Sequence, residues 1–194
     1  MQPALHLPQG YLEIKRIDAV NNKKDFKIIN ISALVVVGMM LLMLFVVPFS
    51  RPEFVNRYVD IPLFWGLLSF ALLLYLLLHE AVHGLFIYLR SKQKPRFGIK
   101  LPYAYAASDA YFDKRSYMII ALAPVVIFGI TLLILNILLP KEWFWFVYMI
   151  QMMNISGSMG DVYIASLVNK MPDDVLAHDT GTAMTFYSKK DEQT

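Results

Sequence analysis

Four long apolar runs, at residues 28–49, 61–88, 117–139 and 143–168, constrain this chain more than any other feature. Each can cross a hydrocarbon core of about 30 Å, which takes roughly 20 helical residues. Hydrocarbon offers no partner to an open backbone N–H or C=O, so a spanning segment has to close its hydrogen bonds on itself as a helix. The chain therefore reads as an all-α membrane protein with four transmembrane helices. A leader at 1–27 precedes a transmembrane domain at 28–168, and a tail follows at 169–194. The loop at 91–116 is the longest between runs, and loose alternation over 97–105 predicts a short β-hairpin in it.

The formal charge of +3 would suit a nucleic-acid partner, but the basic residues follow topology instead. With the N-terminus in the cytoplasm, 15 of the 18 Lys and Arg fall inside, and only Arg51, Arg57 and Lys141 fall outside. This is the positive-inside pattern. It predicts a multi-pass protein of the cell membrane with both termini cytoplasmic, its basic surface facing anionic lipid rather than nucleic acid. The chain has no cysteine, which excludes disulfides, thiolate metal sites and a cysteine nucleophile.

The second apolar run carries His79-Glu80-Ala81-Val82-His83 directly after Leu76-Leu77-Leu78. An ionisable side chain at membrane depth costs roughly 2.5–3.5 kcal/mol, so three side by side need a compensating partner. Helix positions i and i+4 share a face, which lets His79 and His83 grip one cation, while Glu80, about 100° round, reaches a water beside it. H-E-x-x-H on a helix is the pattern of zinc hydrolases. The other reading is a polar knot in which Glu80 pairs with a histidine.

A catalytic zinc site takes three protein ligands. His6 and His178 lie in the polar ends, and Asp161 in the last run is the better third candidate. His79 is 18 residues from Ile61, and Asp161 is 18 residues from Trp143. Both therefore fall about 27 Å down helices that run in the same direction. Pairing with Lys170 or water is the alternative for Asp161. Asn154, two turns earlier on the same face, could contact a substrate carbonyl or a developing oxyanion, or simply bond one helix to another. Gly157, Gly160 and Gly84 are expected to let the second and fourth helices approach closely.

His79-Glu80-Ala81-Val82-His83-Gly84, Ala121-Leu122-Ala123-Pro124 and Gly160-Asp161 together resemble the small bacterial membrane proteins classed as putative zincin peptidases, relatives of the site-2 intramembrane zinc metalloproteases. Leu7-Pro8-Gln9-Gly10-Tyr11 and Asp179-Thr180-Gly181-Thr182 fit as well, so the resemblance spans most of the chain. It implies Zn2+ held by His79, His83 and Asp161, with Glu80 as the catalytic carboxylate. Site-2 proteases usually carry Asp-Gly after an Asn-Pro element; here the order is Gly160-Asp161, and no proline accompanies Asn154.

The expected function is an intramembrane zinc metallopeptidase. It would hydrolyse a peptide bond in or beside the membrane by metal-activated water, with a glutamate as general base. The expected partners are a membrane protein or peptide substrate and the lipid bilayer, with oligomeric state left open. The alternatives are a non-proteolytic metal-binding membrane scaffold and a small transporter. A transporter usually shows repeats and polar groups on several spans, and neither is evident here.

Overall fold

The computed structural model describes residues 5–18, 22–54, 57–100, 103–181 and 183–189. Among the described residues three helices are long and apolar enough to cross a membrane, and they mark the chain as a membrane protein: Lys23–Phe45, Tyr58–Ser91 and Lys114–Leu138. They contain α1 (Lys23–Leu41, continued by a 3-10 turn at Leu42–Phe45), α2 (Arg57–Ser91) and α3 (Lys114–Leu138). Their outward residues are large and apolar, among them Leu34, Leu73, Leu77, Ile137 and Leu138, all mostly exposed. In water this surface would cost roughly 25 cal/mol per Å², and in hydrocarbon it costs nothing.

The fourth apolar run is not a single helix. It forms α4 (Phe144–Gly157) and α5 (Met159–Asn169), and the chain leaves helical geometry at Ser158 (φ −81°, ψ 7°). One effect of the break is to place Asp161 in the first turn of α5, where the helix dipole favours a negative charge. α2 also differs from expectation at its start. It begins at Arg57, four residues ahead of the start of the apolar run at Ile61, and carries Pro62 inside its early turns. Asp60, almost fully buried, accepts the Phe54 N–H at 3.1 Å and pairs with Arg51 at 3.5 Å. At the other end α2 stops where Lys92 turns left-handed at φ 59° and donates its N–H to Tyr88 O. The 35 residues of α2 make a rod about 52 Å long, well beyond the hydrocarbon thickness.

The described residues also form six strands, so the fold is not purely α. The predicted hairpin is present: β2 (Arg96–Lys100) pairs antiparallel with β3 (Tyr103–Ala107), and its turn lies outside the described residues. A second sheet had no sequence signal. It comprises β1 (Tyr11–Ile17), β4 (Tyr111–Asp113), β5 (Leu176–Asp179) and β6 (Met184–Lys189). The strand order is β1-β6-β5-β4, and every pairing is antiparallel. The N-terminal segment thus zips onto the C-terminal one, Tyr11 opposite Lys189 and Ile17 opposite Met184, with a bulge between Glu13 and Lys15. Charged and exposed along most of its length, β1 is suited to a sheet edge.

The described residues pack as two compact units. One takes its residues from Met1–Ile28, Glu80–Ala123 and Gly160–Thr194. Its core joins Ile17, Phe112, Val175 and Phe186 of the sheet region to Ile87, Ile120 and Val168 of the helices. The other unit takes Ile29–His79 and Pro124–Met159 and is cored by Phe64, Leu68, Tyr75, Leu132, Val147 and Ile150. Trp145, buried there, donates its indole N–H to Pro48 O at 3.0 Å.

In the sheet, His178 sits opposite Tyr111 and stacks on it with ring centroids 4.6 Å apart. Burial holds the imidazole below its ordinary 6.5; Arg96 adds to the effect and Asp109 opposes it. The folded state prefers the neutral ring, so stability is full above pH 6.5 and is lost as pH falls through the lower folded value. The melting temperature of detergent-solubilised protein should therefore drop between about pH 7.5 and about pH 5.5 by more in wild type than in His178→Gln. Equal drops would contradict this.

Candidate metal centre

Along α2 the buried side chains Asp60, Phe64, Leu68, Tyr75, His79, His83 and Ile87 recur at spacings of four or seven residues, with Gly84 buried beside His83. That spacing keeps one face of an α-helix inward. The two histidines are therefore carried inward by the register that buries phenylalanine and leucine above them. They sit one turn apart on an unbroken helix, so the helix itself sets their relative position.

Each histidine has its Nδ1 engaged. His83 Nδ1 lies 2.9 Å from Ile120 O on α3. A backbone carbonyl only accepts, so Nδ1 carries the proton and donates. His79 Nδ1 lies 2.9 Å from the hydroxyl of Tyr75, one turn earlier. Direction here is set by Asn154. Its amide nitrogen donates to Val125 O at 3.2 Å, which turns its oxygen toward Tyr75. The Tyr75 hydroxyl donates to that oxygen at 3.1 Å, which leaves its lone pair to accept from His79 Nδ1. Both rings thereby present Nε2 as the lone-pair nitrogen. Hydrogen bonds of this kind, from a ring N–H to a carbonyl or hydroxyl, fix tautomer and orientation in metal-ligating histidines.

Asp161 meets this face. Its Oδ1 is 3.6 Å from His83 Nε2. Two ligand atoms on one tetrahedral zinc are about 3.4 Å apart, given bonds of about 2.0–2.1 Å. One ligand atom from each of His79, His83 and Asp161 lies within 4.8 Å of the other two, so the three are placed to hold a metal ion. Two imidazoles with one carboxylate, and no sulfur, is a donor set that zinc accepts in hydrolytic sites. Glu80 is half-buried on the same helix, close enough to His83 to act on it electrostatically.

Asn154 is fully buried, and both ends of its amide face protein groups, Tyr75 and Val125. This matches the helix-bonding alternative read from sequence. The glycines behave differently from expectation. A Cβ on Gly157 or Gly160 would meet nothing within 4 Å, whereas one on Gly84 would collide with the ring of Phe97 and stand 3.2 Å from Pro95. The close approach at Gly84 is therefore made by the hairpin, which lays Phe97 on the residue following His83.

Four residues at the site escaped sequence reasoning: Tyr75, Ile120, Tyr117 and Asp179. Tyr117 Oη donates to Asp179 at 3.2 Å, and the Gly181 N–H donates to the other carboxylate oxygen at 2.8 Å. Burial pushes the Asp179 carboxyl above its ordinary 3.8, and the charges of His83 and Asp161 act on it in opposite directions, His83 lowering it and Asp161 raising it. Gly181, at φ +81°, lies under the ring of Tyr105, which leaves no room for a side chain there. The one signal available beforehand was Tyr75 itself, four residues before His79 on the same face.

No curated protein and no solved structure matches the chain. Residues 72–176, more than half its length, match the family described as putative zincin peptidase. The matched region contains the histidine pair, the proline of α3 and Asp161. With the zinc that this family implies and a donor set able to hold it, the chain belongs to the putative zincin peptidase family.

Proposed function

We propose that this protein is an intramembrane zinc metallopeptidase that cleaves a membrane-embedded or juxtamembrane peptide bond. The observation that carries the proposal is the convergence of His79, His83 and Asp161 on a stripe of an apolar helix that also bears Glu80. Zinc, when bound, polarises a scissile carbonyl and makes a neighbouring water acidic enough to react near neutral pH. His79 and His83 hold the ion through Nε2, and Asp161 supplies the anionic third ligand. The Glu80 carboxylate takes a proton from the attacking water and returns it to the departing amine. A substrate has to enter unwound, because a helical amide is shielded by its own hydrogen bonds. In our reading α4 and α5 together complete a fourth crossing, both termini lie in the cytoplasm, and the protein resides in the cell membrane. The sorting of 15 basic residues to one side and three to the other supports that orientation.

Removing the carboxylate while keeping its shape separates catalysis from metal binding. Glu80→Gln should keep stoichiometric zinc and lose about 10²–10⁴-fold in hydrolysis of a membrane peptide substrate. His83→Ala should lose both. Full hydrolysis by Glu80→Gln would reject the assigned base. A wild type that binds zinc and cleaves nothing would favour a metal-holding scaffold.

The hydroxyl of Tyr75 gives an independent check. Tyr75→Phe keeps the buried ring but leaves His79 Nδ1 and the Asn154 oxygen without their shared partner. Zinc affinity, measured by competition with a chromogenic chelator, should fall about 10–100-fold. An unchanged affinity would remove Tyr75 from the account.

A further inference from the structure

Pro124 stands inside α3, fully buried, one turn after Ile120. Proline has no N–H, so the carbonyl four residues earlier loses its helical donor. That carbonyl belongs to Ile120, the group that accepts His83 Nδ1 at 2.9 Å. In hydrocarbon an orphaned carbonyl is costly unless a neighbouring helix supplies a donor. The histidine supplies it. We propose that Pro124 is a positioning residue of the metal centre: by vacating the Ile120 carbonyl it creates the acceptor that holds His83 with Nδ1 protonated and Nε2 turned to Asp161. This deepens the metallopeptidase reading and rests on His83 being a ligand.

The arrangement makes a defect in one helix and a need in the next cancel each other. An uninterrupted α3 would offer Ile120 O a backbone donor at position 124. His83 Nδ1 would then share a carbonyl already engaged in the helix ladder, and its ring could turn more freely. The paired histidine shows the same requirement met differently, since His79 Nδ1 has the Tyr75 hydroxyl as its acceptor.

The test is Pro124→Ala, with Leu122→Ala on the same helix as a control for side-chain loss. Alanine favours helix, so the substitution restores the N–H without opposing the fold. The first readout needs no metal. In full-length protein carrying 15N-labelled histidine, the Nδ1 proton of His83 should be slow to exchange with water in wild type and in Leu122→Ala. It should exchange at least tenfold faster in Pro124→Ala. The second readout is zinc affinity by chelator competition, which should fall about 10–100-fold in Pro124→Ala alone. Unchanged exchange of the Nδ1 proton in Pro124→Ala would overturn the proposal, even if zinc affinity fell, because the proline would then act only through helix shape. A wild-type Nδ1 proton that exchanges freely would overturn it as well, whichever variants fold. Protein that shows the protected proton yet binds no zinc would instead reject the metallopeptidase reading and leave the Pro124–His83 linkage standing.

Discussion

A polar ring buried in an apolar helix has to find a partner for each of its nitrogens, and most of the site follows from that requirement. α2 carries two imidazoles on its inward stripe. For His83 the partner of Nδ1 is a carbonyl that the helix ladder of α3 cannot use, and for His79 it is a tyrosine hydroxyl aligned by a buried asparagine. With both Nδ1 groups bound, each ring has its Nε2 left as the metal-ligating nitrogen. The Asp161 carboxylate, 3.6 Å from His83 Nε2, completes a set of three ligand atoms placed to hold a cation.

The break at Ser158 serves the same end. A continuous helix over the fourth apolar run would carry Asp161 mid-helix, with no dipole to favour its charge. Two shorter helices instead give Asp161 the first turn of α5. Beside it, Asp179 brings a second carboxyl, raised by burial and tied to Tyr117 and Gly181, into electrostatic reach of His83. The hairpin adds cover, since the ring of Phe97 rests where any side chain at position 84 would stand.

The histidine pair, the third ligand candidate and the hairpin were all legible in the sequence, because each rests on local spacing or on a count along a helix. The motif needs only the i to i+4 geometry, and Asp161 emerged from comparing depths along two apolar runs. The sheet was not legible. Its strands come from opposite ends of the chain, β1 is exposed and charged along most of its length, and its register with β6 depends on residues more than 160 positions away. The break at Ser158 was missed because the glycines flanking it, Gly157 and Gly160, had been read as packing residues rather than as helix breakers. The acceptor of His83 Nδ1 was missed because a backbone carbonyl carries no side-chain signature.

Zinc K-edge X-ray absorption on the purified protein tests the central claim most directly. The account predicts two imidazole nitrogens and at least one carboxylate oxygen at about 2.0–2.1 Å, with no sulfur, and the loss of one imidazole in His83→Ala. A shell with a single imidazole, or one that His83→Ala leaves unaltered, would contradict it.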